Sequence, residues 1–152
     1  MSTQPNHDRY PVELLDEDDD DGTMPASVAA LGEVVIGRRI VSAVKERVPG
    51  RYYGAVEATV LTLDDGTRVV LEDASDCCAY TEVENFFLDP TKVDHMILGV
   101  GTTDGYTTWH IYADLGDVMR LTVGWSCGNP FYYGYGFDIR VLPIDAELKE
   151  DG

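Results

Sequence analysis

Two adjacent thiols, Cys77 and Cys78, sit among carboxylates in Glu72-Asp73-Ala74-Ser75-Asp76-Cys77-Cys78-Ala79-Tyr80. A zinc ion wants ligand pairs separated by about two to four residues, with a second pair elsewhere. Neighbouring cysteines are poorly placed to share one ion, so Cys127 with His95 or His110 would have to complete the set. A nucleophilic thiol wants a nearby base or cation to hold it as thiolate, and the local carboxylates act in the opposite sense. The favoured reading is structural, small buried thiols at a sheet corner. Cys77, Cys78, Cys127 and His110 are kept as weak metal candidates, and no cofactor is expected.

The segment from Gly128 to Phe137 sets Phe131, Tyr132, Tyr133 and Tyr135 among glycines. Aromatic rings supply contact area at low entropic cost, and glycines let a loop adapt, so the segment suits a contact surface. The plainer alternative is a hairpin connection whose rings fold back over the sheet. Tyr52 and Tyr53 form a smaller aromatic loop. On a strand, Arg39, Lys45, Arg47 and Arg51 would share one face, which is the best argument for an anion site. No histidine has a serine, cysteine or aspartate at a spacing that names a triad. Asp64-Asp65 is explained by turn chemistry. Nothing names a reaction, and the reading leans away from an enzyme.

The charge is uneven. The chain has 152 residues and a net charge of −17. Residues 1–32 hold −7, with Asp16 to Asp21 a run of six acids. Residues 33–143 hold −7 and residues 144–152 hold −3. Such a surface disfavours direct contact with a nucleic-acid backbone or an anionic membrane, and favours a protein partner with a basic surface. No signal peptide or apolar run of membrane-spanning length is read. Together with an odd cysteine count, this suggests a reducing, cytoplasmic setting.

Short alternating segments separated by Asp-Gly turns position these residues. Residues 1–32 are expected to be a disordered acidic arm, 33–143 a β-rich domain and 144–152 an acidic tail. Within the arm, Val12, Leu14 and Leu15 form an apolar piece able to dock on a partner or on the domain itself. A short helix is expected over Ala26–Ile36, and a strand over Arg39–Val48. A three-residue loop, Asp64-Asp65-Gly66, pairs Leu61 with Val69 and places Leu61, Leu63, Val69 and Leu71 on one face. A second hairpin turns at Asp104-Gly105, setting Trp109 opposite Gly99 or Val100 according to loop length. Met119, Leu121, Val123 and Trp125 alternate on the next strand, and Phe137, Ile139 and Val141 face inward on the last. The expected fold is mainly β, an antiparallel sheet domain, rolled or sandwiched, with at most one or two short helices.

Gly37-Arg38-Arg39-Ile40-Val41, Thr62-Leu63-Asp64-Asp65-Gly66-Thr67, Asp76-Cys77-Cys78-Ala79-Tyr80 and the late Gly/Tyr-rich strand pair resemble a family of actinobacterial and actinobacteriophage proteins of unassigned activity. Its pattern has an Asp-Cys-Cys-Ser corner, and Ala79 replaces the serine here. The resemblance covers about Gly37 to Leu142. It transfers no site residue and implies a viral or prophage origin.

The function expected is that of a non-enzymatic acidic binding protein, a bacteriophage accessory factor that modulates a host protein. The alternatives are a virion decoration protein and a nucleotide-binding or sequestering protein. Oligomeric state is left open.

Overall fold

A computed structural model describes Tyr10, Glu13 and residues 22–50, 54–75, 79–126 and 135–142. Arg51, Tyr52, Tyr53, Cys77, Cys78, Cys127, Phe131, Tyr132, Tyr133, the acidic run and the C-terminal tail lie outside the described residues.

The helix α1 (Thr23–Val35) buries Met24, Ser27, Leu31 and Val35, which fall on one stripe at helical spacing. It starts ahead of the expected Ala26. Pro25 is tolerated in the first turn, where its missing N–H has no intrahelical partner, and burial of Met24 anchors the extra residues. Gly37, with φ 84°, turns the chain out of the helix and donates to the Ile97 carbonyl (2.9 Å). Met24 and Leu31 are fully buried. The folded domain therefore begins well before residue 33, the boundary expected from charge alone.

The described strands form two antiparallel sheets. The first orders β1 (Ile40–Pro49), β2 (Ala55–Leu63), β3 (Arg68–Glu72) and β9 (Asp138–Leu142) side by side. The second runs β4 (Ala74–Ser75), β5 (Tyr80–Leu88), β8 (Gly116–Ser126), β7 (Thr108–Ala113) and β6 (Gly99–Thr103). The β-rich antiparallel fold expected from the sequence is what forms, with one sheet curled into a half-barrel.

The β2–β3 hairpin has the expected register, Leu61 opposite Val69 and Thr59 opposite Leu71. Gly66, at φ 89°, supplies the left-handed residue of the loop, and Asp65 accepts the Thr67 N–H (2.9 Å). Leu61, Leu63, Val69 and Leu71 join Met24, Leu31, Val35, Trp109, Ile111, Met119, Leu121 and Val123 in one core. The opposite face of the first sheet carries a smaller cluster, Val48, Ala58, Val60 and Val70.

Three expectations are corrected. Trp109 stands opposite Thr102, not Gly99 or Val100, because the β6–β7 connection is the four-residue turn from Asp104 to Thr107. Val141 is 46% exposed although it stands opposite the buried Val69, since among the described strands β9 is an edge strand with no neighbour on its other side, whereas Phe137 and Ile139 do pack inward. A bulge between Ile40 and Ser42 shifts the alternation of β1 by one, so Ile40 and Ala43 both face the main core. Arg39 thus falls out of phase with Lys45 and Arg47.

Candidate functional site

The β6–β7 turn has a rare backbone. Asp104, Gly105 and Tyr106 have φ of 61°, 65° and 63°, three consecutive residues in the left-handed region. For the two that are not glycine this costs on the order of 1 kcal/mol each and requires surrounding contacts to hold it. Both tryptophans of the chain supply such contacts. Trp125 Nε1 donates to the Gly105 carbonyl (2.8 Å) and Trp109 Nε1 to the Tyr106 carbonyl (3.0 Å). Thr107 Oγ1 closes the turn onto the Asp104 carbonyl (2.6 Å).

With the carbonyls held, the amides converge on one acceptor. The N–H groups of Gly105 and Tyr106 donate to the Glu13 carboxylate at 2.7 and 2.8 Å, and the Thr102 hydroxyl donates to it at 2.6 Å. The Tyr106 hydroxyl donates to the Glu13 backbone carbonyl (2.7 Å). Successive backbone N–H groups in this conformation make an anion-binding concavity, and a residue about 90 positions upstream fills it.

The other face of β6 is shaped for a ring. Gly99 and Gly101 lie on that face. A side chain at Gly99 would strike the Tyr112 ring, and one at Gly101 would strike Tyr10. Tyr10 stacks on His110 with ring centres 3.9 Å apart and an interplanar angle of 10°, and meets Tyr112 edge-on at 5.4 Å. Its hydroxyl donates to Asp117 Oδ1 (2.9 Å). Both nitrogens of His110 are engaged, Nδ1 with Asp117 Oδ2 (2.8 Å) and Nε2 with the Thr103 hydroxyl (2.9 Å). Tyr10 and Glu13 thus straddle the edge strand β6, one on each face. Between Tyr10, Pro25 and Val28 of α1, and Val100 and Thr102 of β6, about 30 Å³ of open space remains.

The chain Thr103–His110–Asp117 has the connectivity of a hydroxyl, base and orienting carboxylate. The two turn amides sit with Thr102, however, and strand alternation puts Thr103 on the opposite face. The hydroxyl and the nearest anion-stabilising donors therefore do not converge on one reacting atom, and the imidazole lies under the Tyr10 ring. What this geometry does hold is the pair Tyr10 and Glu13, one on each face of β6.

Of the residues singled out in the sequence, Arg39, Lys45, Arg47, His110 and Tyr135 lie among the described residues. Arg39 donates to the Asp94 carbonyl (2.8 Å) and pairs with Asp64 (3.4 Å). Lys45 donates to the Val83 carbonyl (2.7 Å), and Arg47 to the Ala55 carbonyl (3.4 Å). Among the described residues these three side chains thus reach three separate backbone carbonyls. Tyr135 is buried and stacks on Trp125, with ring centres 6.1 Å apart. His110 lines the groove, under the Tyr10 ring. Among the described residues no group of three potential metal-ligating side chains forms. A shallow cavity of about 140 Å³ beside Asp89, Lys92 and Arg120 is well below the ~300 Å³ at which small-molecule pockets begin.

Sequence reading missed Tyr10 and Glu13 as ligands and Thr102, Gly105, Tyr106 and Asp117 as their receptors. The available signal was Gly-x-Gly on one face of β6, since glycine inside a strand often marks a close approach by another part of the chain.

No curated protein and no solved structure matches the chain. One family model, described as a domain of unknown function (DUF7448), matches residues 33–139, a span that includes every groove residue on β6, β7, β8 and the turn but neither Tyr10 nor Glu13. With well over half of the 152 residues matched, the chain belongs to the DUF7448 family.

Proposed function

We propose that this chain is a non-enzymatic binding protein that offers a tethered acidic segment to a basic surface on a partner protein. The observation that carries the reading is the position of the two anchors. Glu13 is held by the β6–β7 turn, and Gly22 leads into a helix packed in the core. The eight residues between them include Asp16 to Asp21. A charged segment fastened at both ends has less freedom to lose on association than a free tail. The overall charge of −17 adds long-range attraction for a basic partner.

The setting proposed is that of a bacteriophage accessory factor acting on a host protein in the host cytoplasm. What supports it is the resemblance of the Arg-Arg, Asp-Asp-Gly and Asp-Cys-Cys segments to actinobacteriophage proteins.

Titration with an arginine-rich peptide at low and high salt tests the reading. Neutralising Asp18, Asp19, Asp20 and Asp21 together to asparagine is expected to weaken low-salt binding about tenfold or more, at ~0.2–1 kcal/mol per exposed pair. Neutralising Asp145, Glu147, Glu150 and Asp151 in the same way is expected to cost much less. Equal losses in the two variants would reduce the effect to net charge and reject the tethered-segment reading.

A further inference from the structure

We propose that the groove across β6 is a recognition site for a peptide with a tyrosine three positions before a carboxylate, and that Tyr10 and Glu13 are its resident intramolecular occupant.

The receptor half is built without the occupant. The Gly105 and Tyr106 carbonyls are fixed by the indoles of Trp125 and Trp109. The strand pairing of β6 with β7, Thr103 opposite Thr108, closes the turn. The two amides and Thr102 are therefore aimed at the groove by contacts that lie outside the occupant as well as by Glu13 itself. The two amides are only part-buried, but a carboxylate gives them charge-assisted hydrogen bonds stronger than those to neutral acceptors, so an emptied concavity favours another carboxylate. Preorganisation of this kind is what lets a site take a ligand with little ordering cost.

The ring half selects for tyrosine. The slot over Gly101 admits a ring stacked on His110, and Asp117 at its end accepts a phenol hydroxyl. The same carboxylate repels a phosphate, so phosphotyrosine is refused. Among the described residues, Tyr10 and Glu13 hold the occupant in place through their side chains and the Glu13 backbone carbonyl. None of these contacts depends on the segment belonging to the same chain. The family match covers the receptor residues and stops short of the occupant.

A covalently linked occupant competes at an effective concentration of about millimolar. An outside peptide therefore binds the wild-type chain poorly and binds a chain with a weakened occupant well. This site is independent of the acidic run, because its contacts are hydrogen bonds and a ring stack that persist at high salt.

The test uses the full-length chain carrying Tyr10→Ala and Glu13→Ala. The probe is a fluorescent synthetic peptide of residues 7–15, titrated at high salt. Saturable binding is expected, at least about tenfold tighter than to wild type, with amide shifts at Gly105 and Tyr106. Probe peptides carrying Glu13→Gln, or phosphate on the tyrosine, are expected to lose about tenfold or more. If the double variant does not fold, Glu13→Gln alone, which keeps the side-chain shape, serves as the receiving chain. A folded variant that ignores the peptide overturns the proposal, as does binding indifferent to the peptide's carboxylate. The attraction of the acidic run for a basic partner is judged separately, by the low-salt comparison of the two charge-neutralised variants, which does not use the groove.

Discussion

The phenol ring of Tyr10 lies flat against the imidazole of His110, with centres 3.9 Å apart, while its hydroxyl reaches the Asp117 carboxylate that also holds His110 Nδ1. Ring stacking and hydrogen bonding can be separated here. Tyr10→Phe keeps the stack and gives up one hydrogen bond, an expected cost of ~0.5–1.5 kcal/mol. Tyr10→Ala gives up both, an expected ~2 kcal/mol or more. Chemical denaturation of the two variants checks this. Equal losses would mean that the ring contributes nothing beyond its hydroxyl.

Gly101 is the floor beneath that ring. A Cβ there would meet Tyr10 Cβ and lie 2.9 Å from its carbonyl oxygen. The backbone at Gly101 is ordinary strand, so alanine brings no conformational strain of its own. Gly101→Ala is expected to cost ~1–3 kcal/mol through displacement of the segment. Combined with Glu13→Ala, the losses should fall short of additive, because both release the same piece of chain. Strict additivity in a double-mutant cycle would separate the two contacts and count against one docked segment.

Trp125 acts on Glu13 at one remove. Replacing it with phenylalanine leaves the Gly105 carbonyl without its indole donor. The expected cost is ~1–3 kcal/mol. Hydrogen exchange should accelerate at the Gly105 and Tyr106 amides more than in the β2–β3 hairpin. Uniform acceleration would indicate a general loss of core stability rather than loosening of the turn.

Asp73 and Asp65 are expected to respond to pH in opposite directions. Burial raises the Asp73 carboxyl above its ordinary 3.8, partly offset by the Val83 N–H and by Lys45. A raised folded-state value means that its favourable contribution is complete below 3.8 and lost as pH rises through the folded value. Asp73→Asn is therefore expected to match or exceed wild-type stability at neutral pH, with the gain vanishing in acid. Asp65 is lowered from 3.8 by the hydrogen bonds from Thr67, with Arg38 adding to the effect. Its contribution is present above that value and lost as pH falls through the lower one. Melting curves of Asp73→Asn and Asp65→Asn across pH, each against wild type, read both signs. Asp73→Asn weaker than wild type at neutral pH would sink the burial assignment.

The parts of the fold legible in the sequence were those fixed by neighbours. Leu61, Leu63, Val69 and Leu71 alternate about an Asp-Asp-Gly loop, so face and register are both set within eleven residues. The Asp104-Gly105 turn carries a similar local signal but a different register. Tyr106 adopts a left-handed conformation supported by two indoles and a distant glutamate. No local pattern encodes that support. The bulge near Val41 is likewise invisible to strict alternation, and it takes Arg39 off the basic face drawn across it. Charge drew attention to the arm as something to exclude from the domain. Yet Tyr10 and Glu13, on the near side of the acidic run, are bound to the domain, and the helix beyond the run packs in its core.

Because the acidic run lies between two points of attachment, a single peptide-bond cleavage within it need not remove what precedes it. A protease cutting among residues 14–21 would convert the N-terminal piece from a tethered strap into a noncovalent fragment seated by Tyr10 and Glu13. The nicked protein would then be a two-chain assembly. The time for which the short fragment co-migrates with the domain would become a clock for its hold on the groove.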